Sequence, residues 1–178
     1  ELMEGLAERG NTVRVLMNTH LDYKPLHFER IAIPVDYTRK KFPPASLLLF
    51  FKLRGMKREI LKKVAGTEWI HIHSDMNLSA ALYLKKRTRA KLFYAVRCND
   101  ITRARILMKQ GGYSVSEKIA SLVYIQKKKS REKKIAHHAE RITIQNEQDR
   151  NLFLSRTGCS ISKTVIIPGN IGSKRFAP

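Results

Sequence analysis

The sequence predicts an α/β fold, with an open, mostly parallel sheet covered by helices on both faces. Three observations lead there. Short apolar or alternating runs, such as "TVRVLMNT", "EWIHIHSD", "KLFYAVRC" and "KTVIIP", take turns along the chain with longer segments of helical period. The connections between them are short, as when each strand hands over to a helix that crosses back to the next strand. At 178 residues, 43% apolar and 28% charged, the chain is long enough to bury a core and too apolar for a disordered segment.

Each element has its own local reason. "ELMEGLAERG" reads as an amphipathic helix, with Leu2, Leu6 and Ala7 on one side and Gly10 as its stop. Val13 and Val15 alternate with Thr12 and Arg14 in the first strand. "RIAIPVDY" is a second strand, placed by Pro34 at an edge or at the end of pairing. One helix is expected from Pro43 and Pro44 to Gly66, with basic residues in its last turns, where the helix dipole favours them. "EWIHIHSD" is a strand, "NLSAALYLKKRT" a helix and "KLFYAVRC" a strand. "NDITRARILMKQGGYS" reads as a short helix and a Gly-Gly loop. A long helix follows from Ser114, whose spacing to Glu117 is that of a capping box. "RITIQN" is a strand, "EQDRNLFLSRTG" a helix stopped by Gly158, and "KTVIIP" the last strand.

Composition narrows the partners. Thirty-five Lys and Arg against fifteen Asp and Glu give a net charge of +20, which favours an anionic partner: nucleic acid, an acidic membrane surface or a phosphorylated substrate. No helix-turn-helix, zinc-finger or RNA-binding aromatic motif is recognisable, which disfavours nucleic acid. Cys98 and Cys159 form no CxxC pair, so neither a disulfide framework nor a zinc site follows, and a reduced, cytoplasmic setting is expected. The most apolar stretch, "ASLLLFFKL", is interrupted by Lys52 and falls far short of the roughly 18 residues that span a bilayer.

In open parallel sheets, ligands bind beyond the carboxyl ends of the strands. Those ends point to Thr19 and His20, His73 to Asp75, Arg97 to Asp100, and Asn146 with Glu147. His71 and His73 share one strand face, because side chains alternate with period two. Two such imidazoles suit a metal, but no third ligand can be named from spacing. The packed reading for His71 and a polar contact for His73, at the strand end, are preferred. His137 and His138 point about 100° apart on a helix, which makes them poor co-ligands. Arg97 offers a planar fork to phosphate or carboxylate. Asp100 suits either capping of the next helix or a hydrogen bond to a hydroxyl-rich ligand. "QGGYS" has neither the lysine nor the spacing of a phosphate-binding loop. "QKKKSREKK" carries six positive charges and one negative, enough to surround a helix. It reads as a solvated end or, with the basic residues between Lys52 and Lys63, as a contact with anionic lipid worth about 1 kcal/mol per basic residue.

The order of elements resembles a known family. "ELMEGLAERGNTVRVLMNT" looks like the first helix and second strand of the N-terminal domain of family 4 glycosyltransferases. "EWIHIHSDMNLSAALYLKK" resembles its "D.vh.Hs" strand with the helix that follows. "AERITIQNEQDRNLFLSRTGCSISKTVIIPGNIGSKRFAP" resembles its "Ad.ii..Se..r..l...g....ki.vIpNGvd...F.P" segment. The resemblance implies one half of a GT-B architecture, a Rossmann-like acceptor-side domain over residues 1–168, with residues 169–178 beginning a linker to a donor-binding domain. It implies that the opening strand and its Gly-rich loop lie before Glu1. It also implies retention of anomeric configuration, a nucleotide-diphosphate sugar as co-substrate, and no metal or other cofactor.

The resemblance implies roles for particular residues. Arg97 stands where the family often has His, in a "t.Hd" pattern, and cannot shuttle protons as His does because it stays charged. "PNG" becomes "PGN" here. Arg97 and His73 are the expected catalytic contacts. Ser74, Asn99, Asp100, Thr19 and Asn146 are the expected substrate-binding residues. The acceptor would be a glycan or a lipid-linked sugar, as in cell-envelope, polysaccharide or glycolipid synthesis. The protein would be cytoplasmic or peripheral at the inner membrane face, through residues 52–63 and 127–134. The alternative readings are a basic, non-enzymatic module for nucleic acid or anionic membrane, and an epimerase of the same architecture.

Overall fold

Along Lys91–Ala95 exposed and buried side chains alternate, with Leu92 and Tyr94 inward, and this period of two is kept in the strand they form. Among the described residues of a computed structural model, it is one of four strands in the larger of two parallel sheets. The structure describes residues 2–18, 29–33, 35, 45–96, 100–110 and 112–168. The fold is α/β. The chain divides into two compact units, residues 1–68 with 79–90, and residues 69–78 with those from 91 onward.

The second unit holds the larger sheet. Strands β3 (Trp69–Ile72), β4 (Lys91–Ala95), β5 (Arg141–Ile144) and β6 (Thr164–Ile166) lie in that order, every pair parallel. Ile142, Thr143 and Ile144 are buried in succession, so β5 is covered on both faces, as a parallel sheet requires. Val165 on β6, the last strand in the order, is exposed. Helix α5 (Asp100–Lys109) follows β4, α6 (Val115–His138) leads into β5, and α7 (Glu147–Thr157) joins β5 to β6. Their inward residues Ile101, Ile125, Ile135, Ala136 and Phe153 complete this core with Leu92 and Ile142.

The helix ends follow the sequence signals. Ser114 and Glu117 form the capping box: the Glu117 N–H donates to the serine Oγ at 3.3 Å, and the Glu117 carboxylate accepts the Ser114 N–H at 2.8 Å. The serine's hydrogen bonds hold the Glu117 carboxyl below its ordinary pKa. Gly158 ends α7 at φ 68°, a left-handed conformation that suits glycine.

The first unit contains α1 (Leu2–Glu8), the parallel pair β1 (Arg14–Asn18) and β2 (Glu29–Ile33), α2 (Ala45–Gly55), α3 (Lys57–Lys63) and, from Ser79, most of α4 (Leu78–Thr88). Arg14 sits opposite Glu29 in the ladder and donates to its carboxylate at 2.9 Å. Ile31, Ile33, Leu49, Leu53, Ile60 and Leu84 are buried here, and Phe50 meets Tyr83 edge to face. Pro34, Pro43 and Pro44 lie outside the described residues.

The single helix expected up to Gly66 is two helices. The chain turns at Met56, whose ψ of 21° departs from helical geometry. Gly55, directly before it, is the weakest helix former after proline, and this explains where the break falls. A Cβ at Gly55 would meet nothing within 4 Å, and its φ is not positive. Gly55→Ala is therefore expected to stabilise the protein by about 0.5–1 kcal/mol, chiefly by restricting the unfolded chain. A higher urea midpoint at unchanged slope checks it.

Candidate functional site

The carboxyl ends of β3 and β4 lead into segments that a single buried lysine joins. After β3 the chain passes His73 and Ser74 and makes a 3₁₀ turn at Asp75–Asn77, capped by the Ser74 hydroxyl, which accepts the Met76 N–H at 3.3 Å. After β4 it reaches Asp100 in the first turn of α5, where the helix dipole favours a carboxylate. The Lys128 side chain, from the middle of α6, enters between them. Its Nζ donates to Asp75 Oδ1 at 2.5 Å and to Asp100 Oδ2 at 2.9 Å. Arg131, one turn further along α6, donates to Asp75 Oδ2 at 3.3 Å. The side chains of Lys128 and Asp75 are only 8% and 6% exposed, so this is a charge cluster largely withdrawn from water.

The electrostatics follow from that burial. Burial alone would lower the Lys128 pKa, but its hydrogen bonds to Asp75 and Asp100 outweigh it and hold the ammonium above its ordinary value. Burial pushes the neighbouring Tyr94 phenol well above its usual value, against the opposing pull of Lys128. A second pair lies on the same side of α6. Arg156 of α7 donates to Glu132 through Nε at 3.0 Å and Nη2 at 3.4 Å, a two-point contact that suits a guanidinium. Burial still raises the Glu132 carboxyl above the ordinary range, with Arg156 opposing.

These residues correct the reading of "QKKKSREKK" as charge all round a solvated helix. Ile125, Lys128, Glu132 and Ile135 recur at helical spacing and are all buried, so the inward stripe of α6 runs straight through the charged segment. Lys127, Lys133 and Lys134 remain exposed. Lys128, Glu132 and Arg156 were missed by sequence reasoning. The spacing of two isoleucines across the charged run was the available signal.

His71 and His73 do share a face. Their rings are 4.0 Å apart, and His71 also packs on Phe93, its ladder partner on β4, at 4.5 Å. Among the described residues no group of three or more His, Cys, Asp or Glu side chains could hold a metal ion. Asn146 caps α7: its carbonyl accepts the Asp149 N–H at 2.8 Å and its amide donates to the Asp149 carboxylate at 2.9 Å. Thr19, Arg97 and Asn99 lie outside the described residues. The structure thus places His73, Ser74 and Asp75 on one segment and ties it through Lys128 to Asp100, while Asn146 stands at the head of α7.

A shallow groove runs between α5 and α7, the helices that follow the adjacent strands β4 and β5. Ile106, Leu107 and Leu152 give it an apolar lining, and Thr102, Arg103 and Asp149, in the first turns of the two helices, supply polar groups. It therefore begins at the sheet end where parallel α/β proteins hold ligands. Arg103 gives this groove a positive charge and Asp149 a negative one. Among the described residues no helix is long and apolar enough to cross a membrane. No protein-family model matches the chain, and no curated protein matches it either.

Proposed function

We propose that the chain is the acceptor-side half of a retaining glycosyltransferase, which moves a sugar from a nucleotide diphosphate to an acceptor hydroxyl. The observation that carries this reading is the joining of two carboxyl-end segments of a parallel sheet, His73–Asp75 and the start of α5, by the buried Lys128. Such a joint holds the polar groups of both segments in a set geometry before a substrate arrives, which is how binding groups become effective in catalysis. The motif resemblance supplies the reaction class. On this reading His73 and Arg97 contact the acceptor or the migrating sugar, while Ser74, Asn99 and Asp100 support them. The donor diphosphate is held mainly by a second domain, no metal is required, and the acceptor is a glycan or a lipid-linked sugar. The exposed cations of residues 52–63 in the first unit, and those of residues 127–134 in the second, each suit contact with an anionic membrane surface.

The test uses the protein with both domains, a panel of nucleotide-diphosphate sugars and measured release of nucleoside diphosphate. Release is expected, and Arg97→Ala and His73→Ala should each lower it by about 100-fold, a typical loss for a group that acts in the transition state, when assayed well below each variant's thermal midpoint. The 178 residues alone should transfer no sugar. Turnover by them alone, or none by the two-domain protein with any donor, overturns the reading.

A further inference from the structure

The outward side of α6 carries a surface that the fold leaves uncovered. Val115, Ile119, Leu122 and Val123 recur at helical spacing over its first turns and are 75%, 57%, 55% and 47% exposed. The inward stripe, Ile125 to Ile135, lies on the other side of the helix. Further along, the outward side turns basic, with Lys127, Lys133 and Lys134 exposed. A helix apolar at one end of its free face and cationic at the other has the two properties of an element that lies on a lipid bilayer. The only acids in α6 are accounted for elsewhere: Glu117 in the capping box and Glu132 against Arg156. The free face therefore presents no carboxylate to repel anionic headgroups, and the net charge of +20 draws the protein towards them.

We infer that α6 is a bilayer-docking helix. Val115, Ile119, Leu122 and Val123 enter the boundary between headgroups and acyl chains of an anionic leaflet, while Lys127, Lys133 and Lys134 contact lipid phosphates. The inference rests on the membrane part of the reading above and deepens it, from electrostatic adhesion to insertion of a named apolar face.

The experiment is cosedimentation of the protein with phosphatidylcholine vesicles, with and without phosphatidylglycerol. Wild type should bind the anionic vesicles. The triple change Ile119→Ser, Leu122→Ser, Val123→Ser should weaken that binding about tenfold or more, with an unchanged thermal midpoint because these side chains are exposed. In a Leu122→Trp variant, brominated acyl chains should quench fluorescence beyond the quenching seen for Trp69 in wild type. Triple-variant binding equal to wild type, abolished by salt, overturns insertion and leaves electrostatic adhesion standing. Unchanged binding after Lys127→Ser, Lys133→Ser and Lys134→Ser together overturns the charge contact on which both rest. Absence of vesicle binding by wild type, with the triple-serine change converting a dimer to a monomer, also overturns the inference and assigns the face to a second copy of the chain.

Discussion

Lys128→Met should destabilise the protein by about 3–5 kcal/mol, the usual cost of removing one partner from a buried ion pair. Methionine can fill the space of the lysine stem, so the loss comes from the charges left behind. Among the described residues, Asp75, at 6% exposure, would keep only Arg131 of the two cations that now bind it, and Asp100 would lose its lysine. Urea unfolding should therefore show a lower midpoint at similar slope. Adding Asp75→Asn and Asp100→Asn to the same protein should recover more than half of the loss, because neutral amides tolerate the site without a cation. No recovery in the combined variant would mean that packing of the stem, rather than charge, holds the two segments. Hydrogen exchange gives a local reading: amides of residues 75–78 and of α5 should lose protection before those of β5.

The same cluster predicts behaviour at high pH. Lys128 has a raised pKa in the folded state, so its contribution is complete below the ordinary value of 10.5 and is lost as pH climbs above it. Tyr94 acts in the same direction: its raised pKa keeps the buried phenol neutral, and stability falls as pH rises above the ordinary 10.0. Wild type should therefore weaken steeply in alkali. Tyr94→Phe should remove one part of that slope and Lys128→Met the other.

The strands and helices were legible because their signals are local. Capping by Ser114, stopping by Gly158 and alternation in "KLFYAV" all act within a few residues, and the structure keeps each of them. The break at Met56 was also local in cause, but the apolar pattern on both sides of Gly55 read as continuous. The charge cluster was not legible for a different reason. Lys128 lies 53 residues from Asp75 and 28 from Asp100, and its role depends on which turn of α6 faces inward. Within "QKKKSREKK" every lysine has the same local chemistry, so only the spacing of Ile125 and Ile135 across the run separates the buried one from its neighbours. Asn146 is a local case again: at a strand's carboxyl end it heads the next helix, and its side chain caps α7.

Arg156→Leu tests the second buried pair, and its cost should depend on pH. Glu132 is 3% exposed, and burial already lifts its carboxyl above the ordinary pKa although Arg156 pulls it down. Without the guanidinium the folded-state pKa must rise further. An acid whose pKa is raised on folding stabilises the protein fully below its unfolded value, here 4.5, and loses that contribution as pH rises through the folded value. The variant should thus be close to wild type below pH 4.5, where Glu132 is protonated in both states, and fall behind towards neutrality by about 3 kcal/mol. Unfolding free energies of the two proteins, compared at each pH, cancel the repulsion among the other cations. Adding Glu132→Gln should flatten the difference, because no carboxylate is left to ionise. A deficit of the same size at every pH would instead assign the loss to the apolar stem of Arg156, 13% exposed against α6, and would make the two-point contact with Glu132 a consequence of packing rather than its cause.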